Sequence, residues 1–231
     1  MLILGFDTAT SACSAALWRD GAVAARRFEP MQRGQSERLM PMIQEVMDEA
    51  GAAFADLDLV AVTNGPGAFT GLRIGLAAAR GLALAGNVPC LGVTTFEAIA
   101  AQVPADERRG RVLLVAIDAK RADVYVQVFD AGLAPAANAA ARLPADVASS
   151  LPDRKAGVIV AGDGTARVLP ALQAAGIAAV ASTAPGVPDA AGVCALAAAR
   201  WRGVPPASPP LPLYLLAPST TPAKARGRPG G

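Results

Sequence analysis

Short apolar runs separated by turn residues open the chain, and they give way to longer stretches in which apolar positions recur at three- and four-residue spacing. The runs Leu2 to Phe6, Ala12 to Leu17 and Ala22 to Phe28 predict three strands, joined by a bend at Asp7-Thr8 and a turn at Asp20-Gly21. Leu39, Ile43, Val46 and Met47 then fall at helical spacing, which predicts a helix from Ser36 to Ala50 stopped by Gly51. Pro41 interrupts it, so either the regular helix begins near Pro41 or a preceding turn is kinked there. Leu59-Val60-Ala61-Val62 reads as a buried strand, and Gly65-Pro66-Gly67 ends it. Thr70 is placed to cap an alanine-rich helix running to about Ala85. A buried strand from Pro89 to Val93 and a helix opened by the capping box Thr94/Glu97 complete an order close to βββαβαα.

The pattern then restarts. Leu113-Leu114-Val115-Ala116-Ile117-Asp118 parallels Leu2-Ile3-Leu4-Gly5-Phe6-Asp7 at an offset of 118 − 7 = 111, and the same offset maps Trp18 onto Phe129 and Gly21 onto Gly132. Gly157 to Gly164 matches the Leu59 strand and its glycine turn more weakly. The polar stretch Gln102 to Arg111 suits a connector, which predicts two lobes, 1–103 and 111–231. Ala131 to Pro152 reads as variable surface structure, and the proline-rich chain after Trp201 as an extended arm with a basic end from Lys224 to Gly231. Duplicated βββαβα lobes resemble the two-lobed actin-like ATPase (ASKHA, ribonuclease H-like) α/β fold, a likeness of fold and not of function.

Composition narrows the chemistry. Of 231 residues, 53% are apolar and the net charge is only +2, so the chain lacks the basic excess of a stand-alone nucleic-acid binder. The first residues run straight into a strand without a basic n-region, and no apolar stretch reaches membrane-spanning length, which predicts a cytoplasmic protein. Cys13, Cys90 and Cys194 are far apart and odd in number, and they read as buried thiols in a reducing compartment. Histidine is absent altogether. That excludes Ser-His-Asp and Cys-His catalysis and makes a zinc or iron centre improbable, while a carboxylate-only Mg²⁺ site stays open.

The run Asn64-Gly65-Pro66-Gly67-Ala68-Phe69-Thr70-Gly71-Leu72-Arg73-Ile74-Gly75 is strand, glycine turn, helix, and such a turn presents backbone N–H groups at a helix N-terminus. It has no P-loop lysine. Almost letter for letter, it resembles the signature of the TsaB (YeaZ) family, the dimerisation subunit of the bacterial tRNA threonylcarbamoyladenosine machinery. The opening Leu2 to Thr10 and the stretch Ser36-Glu37-Arg38-Leu39-Met40-Pro41-Met42-Ile43 look like the same family's other hallmarks. The likeness covers roughly Met1 to Ala100, with a weaker echo around Asp118. Two positions depart from it: Gln35 stands where histidine is frequent, and Leu216 where arginine is common.

The resemblance implies a non-catalytic subunit of the complex that modifies the adenosine 3′ of the anticodon in tRNAs reading ANN codons. Its partners would be the related catalytic subunit TsaD, which carries its metal on histidines, and the ATPase TsaE. ATP and metal are then expected on those partners, and tRNA is met indirectly through the complex. In the family, two helices pack on the equivalent pair of TsaD, or on a second copy when TsaD is absent. This implies a partner interface of Leu39, Met40, Ile43, Met47, Gly71, Gly75, Ala78 and Leu82, and predicts that Gly75→Glu abolishes TsaD binding while leaving the monomer folded. The residues leave another reading open. Small side chains at Gly71, Gly75 and Ala78 or Ala79 suit tight packing on the protein's own sheet, and Met40, Met42 and Met47 suit a core as well as a partner face. Asp7 and Asp118 stand where an actin-like ATPase holds Mg²⁺-nucleotide, so a small-molecule kinase or ATPase is the alternative function. Neither aspartate is followed by the glycines that let backbone N–H groups approach phosphate, and both read equally as turn formers at strand ends.

Overall fold

The computed structural model describes residues 1–153 and 157–216, so the basic end from Lys224 to Gly231 lies outside the described residues. The first half contains β1 (Leu2–Asp7), β2 (Ala12–Arg19), β3 (Ala22–Pro30), α1 (Gln35–Glu49), β4 (Leu59–Thr63), α2 (Phe69–Gly86), β5 (Cys90–Val93) and α3 (Thr95–Ala100). A single helical turn, α4 (Ala105–Arg108), leads to β6 (Arg111–Asp118), β7 (Val124–Phe129), β8 (Ala140–Arg142), β9 (Gly157–Ala161), α5 (Thr165–Ala174), β10 (Ala179–Ala181) and α6 (Ala190–Arg200).

These strands make two five-stranded sheets of one design. The first runs β3-β2-β1-β4-β5 and the second β8-β7-β6-β9-β10, so each has the order 3-2-1-4-5 with an antiparallel meander followed by two parallel strands. Asp7 and Asp118 end the equivalent central strands, opposite Ser14 and Val124 respectively. The repeat noticed at an offset of 111 is therefore a repeat of structure, displaced by one residue where the second hairpin is shorter. This duplicated arrangement is the two-lobed actin-like α/β fold.

Each sheet is buried on both faces, and the cover is exchanged between lobes. One face of the first sheet carries Leu4, Phe6, Val60 and Val62 against Leu39, Ile43 and Met47 of α1 and Leu76 and Ala79 of α2. Its opposite face, with Ile3, Ala16, Leu59 and Ala61, is covered by Val193, Cys194 and Ala197 of α6. The second sheet packs Leu114, Ala116 and Val160 against Val168 and Leu172 of α5. Its other face, with Leu113, Val115 and Ile117, is covered by Phe96 and Ile99 of α3. The helix that follows each lobe's fifth strand thus lies on the other lobe's sheet. Asp189 fixes α6 there: it caps Ala191 N–H at 2.9 Å and pairs with Arg26 of β3.

Several local expectations meet their physical reasons here. Helix α1 continues through Pro41, which lies on the exposed side, and ends at Gly51 in the left-handed region (φ 58°). Thr94 and Glu97 form the reciprocal capping box. Thr70, however, is not the cap of α2. That position is Ala68, whose N–H donates to Ala9 O at 2.8 Å, so the helix start is pinned by the β1–β2 turn rather than by its own hydroxyl. Ala131 to Pro152 is more than surface: it supplies β8 and a 3-10 turn, Pro144–Ser150, whose Val147 and Ala148 join the second core with Leu151.

Candidate functional site

Between the lobes lies a cleft of about 450 Å³. The first lobe lines it with the β1–β2 turn (Ala9, Thr10, Ser11), the start of α1 (Gln35, Ser36) and the start of α2 (Ala68, Thr70, Gly71); the second contributes Asp118, Lys120 and Asp163. The turn sits directly on α2: Thr8 Oγ1 donates to Gly71 O at 2.7 Å. A Cβ built on Gly71 would stand 2.0 Å from Thr8 O, and one on Gly75 2.7 Å from Thr8 Oγ1. Those two glycines are small because the chain's own turn passes there. A glutamate at Gly75 collides with Thr8 inside the fold, so the expectation of a folded Gly75→Glu monomer is corrected.

The two aspartates have opposite environments. Asp7 is completely buried, accepts from Ala9 N–H at 3.1 Å and from Thr63 Oγ1, and its Oδ2 has no partner among the described residues. Burial pushes its carboxyl up to about 7. It does not line the cleft. Asp118 does, and it accepts from Lys120 N–H at 2.9 Å, Lys120 Nζ at 3.0 Å and Arg167 at 2.8 Å. Partial burial pushes it up, but those donors prevail and hold it below the usual carboxylate range. Asp163 receives Asp118 N–H at 2.8 Å, lies 3.8 Å from Lys120 Nζ, and is raised by burial. The Lys120 ammonium thus lies against both Asp118 and Asp163, whereas Asp7 is fully buried outside the cleft lining, so Asp7 and Asp118 are not placed to hold one Mg²⁺-nucleotide together.

The residues expected at a partner interface divide by exposure. Leu39, Ile43, Met47, Gly71 and Gly75 are buried within the chain, Ala78 and Leu82 are half-buried, and Met40 is 45% exposed. The outward side of α1 and α2 instead presents Met40, Pro41 and Gln44, with Arg73, Ala77, Gly81 and Ala85. Gly81 was not among the expected residues. A Cβ there meets nothing within 4 Å among the described residues, so none of their contacts accounts for a glycine in the middle of an 18-residue helix.

Beside this face, the arm after Trp201 is tied to α2 and to the turn before it. Leu213 N–H donates to Asn64 O at 2.7 Å, Asn64 Nδ2 to Leu211 O at 3.1 Å, and Arg80 to Pro210 O at 2.8 Å. Phe69 meets Tyr214 with ring centroids 5.5 Å apart, and Arg73 lies over the Phe69 ring at 3.8 Å.

The family model for TsaD, tRNA N6-adenosine threonylcarbamoyltransferase, matches residues 29–183. The tRNA threonylcarbamoyladenosine biosynthesis protein TsaB of Escherichia coli is 44% identical over 125 residues, which is 54% of this chain and 53% of that protein. The match thus spans about half the length of that relative. An uncharacterized protein of Mycobacterium tuberculosis is 36% identical over 225 residues, covering 95% of this chain and 94% of its own length. Among solved structures, YeaZ from Pseudomonas aeruginosa superposes with a TM-score of 0.77 at 32% identity, covering 93% of this chain and 99% of that one. With the fold, the opening strand and the glycine turn all in place, the chain belongs to the TsaB (YeaZ) family.

Proposed function

We propose that this chain acts in tRNA threonylcarbamoyladenosine biosynthesis as a non-catalytic subunit that binds TsaD and holds it in an active arrangement. The reading rests on family membership and on one physical observation: Gly81, with Ala77 and Ala85 one turn to either side, forms an exposed, flat strip on α2 that packing among the described residues does not explain. In water, a bare helix-interior glycine costs about 1 kcal/mol relative to alanine. Close approach of a partner helix offsets that cost. Met40 on α1 adds an adaptable apolar side chain to the same two-helix unit. The partner surface is therefore the outer side of α1 and α2, with Ala78 and Leu82 at its floor, while Leu39, Ile43, Met47, Gly71 and Gly75 support it from beneath.

TsaD is the partner of this surface, and a second copy of the chain occupies it when TsaD is absent. TsaE docks on the pair, tRNA is reached through the complex, ATP and metal belong to the partner subunits, and the assembly works in the cytoplasm. The test is light scattering on a sizing column, with the chain alone and mixed with TsaD from the same organism. A one-to-one complex lost in Ala77→Glu and Gly81→Glu, both of which keep the wild-type circular dichroism, supports the proposal. Failure of wild type to bind TsaD, or binding undiminished in both variants, refutes it.

A further inference from the structure

We propose that the arm after Trp201 is a third element of the partner surface, and that α2 and the arm together hold an apolar segment of TsaD that brings a carboxylate to Arg73. The proposal rests on the reading above, in which α1 and α2 face TsaD. The exposed side of α2 has two borders. On one, Ala78 and Leu82 pack with α1 on the first core. On the other, Phe69 and Arg80 meet Tyr214 and Pro210 of the arm. A helix laid along this side is about 10 Å across with its side chains, wide enough to reach both borders.

The arm is seated by its backbone. Besides its hydrogen bonds to Asn64 and Arg80, it runs so close to the first lobe that a Cβ on Gly92 would stand 2.9 Å from Pro210 Cβ, and one on Gly65 2.9 Å from Leu213 O. Its side chains are what is left for a partner: Leu211 is 67% exposed and Tyr214 41%, and on α2 Leu84 is 85% exposed. Six of the ten large apolar side chains exposed among the described residues, these three with Met40, Phe69 and Val204, belong to α1, α2 or the arm. Such a concentration marks a contact surface, whereas scattered single residues do not. Towards the end of α2 the arm stands off the helix and leaves a groove of about 520 Å³ lined by Ala83, Leu84, Pro205, Pro206 and Pro209, with Arg80 beside them.

Charge supplies the rest of the match. Between Phe69 and Gly86 the charged residues are Arg73 and Arg80, with no acidic residue. Arg73 lies over the Phe69 ring, Arg80 donates to Pro210 O, and neither pairs with a carboxylate among the described residues. An acidic side chain on the partner complements them. Phosphates would meet the arginines too, but Leu84, Val204 and Leu211 gain nothing from a nucleic-acid backbone, so the surface fits a protein.

The test is calorimetric titration of the full chain with TsaD from the same organism, comparing wild type with Leu84→Ala, Leu211→Ala, Tyr214→Ala and Arg73→Glu, and with Gly81→Glu as the marker of the two-helix reading. All four side chains are exposed, so the variants are expected to unfold at the wild-type temperature. Leu84→Ala and Tyr214→Ala are expected to weaken binding about tenfold each, and Arg73→Glu by more. Tyr214→Phe keeps the ring and binds as wild type. Wild-type affinity in both Leu211→Ala and Tyr214→Ala, with Gly81→Glu unable to bind, overturns the arm's part and leaves the two-helix reading standing. Failure of wild type to bind TsaD overturns both. A Tyr214→Ala chain that binds TsaD as wild type does, but whose complex has lost affinity for tRNA, overturns the proposal in favour of an RNA contact.

Discussion

Replacing Asp7 by asparagine makes the chain more stable at alkaline pH than at acid pH relative to wild type, by an amount the structure sets. The carboxyl is fully buried, and one oxygen has no partner among the described residues. Its folded value is about 7 against an ordinary 3.8. The folded state therefore holds a proton that the unfolded state has released, and stability falls as pH rises from about 4 to about 7, then levels off. At about 1.4 kcal/mol per pH unit the full loss is about 4 kcal/mol, of which about 2.5 kcal/mol falls between pH 5 and pH 8. Asparagine keeps the acceptor used by Thr63 and Ala9 but carries no charge, and its unpaired NH₂ costs the same at every pH. Urea unfolding of both proteins across that range measures the gap directly. The variant gains about 2.5 kcal/mol on wild type from pH 5 to pH 8; a gap that stays constant, or that moves the other way, refutes the buried-charge reasoning.

Gly71→Ala puts a methyl 2.0 Å from Thr8 O and lowers stability by about 3 kcal/mol in thermal or urea unfolding. Gly81→Ala meets nothing within 4 Å among the described residues, and raises monomer stability by about 1 kcal/mol in the same assay. Asp189→Ala removes the α6 cap and the Arg26 pair together and costs about 1–2 kcal/mol in urea unfolding. Cys13, Cys90 and Cys194 are all buried free thiols; burial pushes Cys13 and Cys194 up to about 12 and Cys90 to about 11. A thiol reagent such as DTNB at pH 8 leaves them untouched in the native chain and titrates them only in denaturant.

The strands and main helices were legible because their apolar periods are clean: Ile3 and Leu4 point to opposite faces of one sheet, and Leu39, Ile43 and Met47 form one stripe. What the stripe packs against was not legible. A run of small residues on a helix looks the same whether its own turn or a second protein approaches, so the sequence alone leaves Gly71 and Gly75 open between the two readings, and the structure puts Thr8 beside both. Gly81, a helix-interior glycine without a close neighbour among the described residues, carries no mark in the sequence that sets it apart from Gly71 and Gly75. The alanine-rich stretch before Pro152 hid β8 and the Pro144–Ser150 turn because alanine has little amphipathic contrast. Lys120 gains its setting from Asp163, distant in sequence, since the cleft draws on both lobes.

The crossed helices bear on how the chain matures. When a ribosome has released residues 1–103, the sheet formed from them still has one greasy side open to water, because α6, at Ala190–Arg200, has not yet been made. The second sheet meets no such delay, since α3 is already waiting for it. Synthesis from the N-terminus thus completes the later lobe first and closes the earlier one last. A gene cut between the repeats yields two fragments that each lack a wall held by the other, so they complement as a pair.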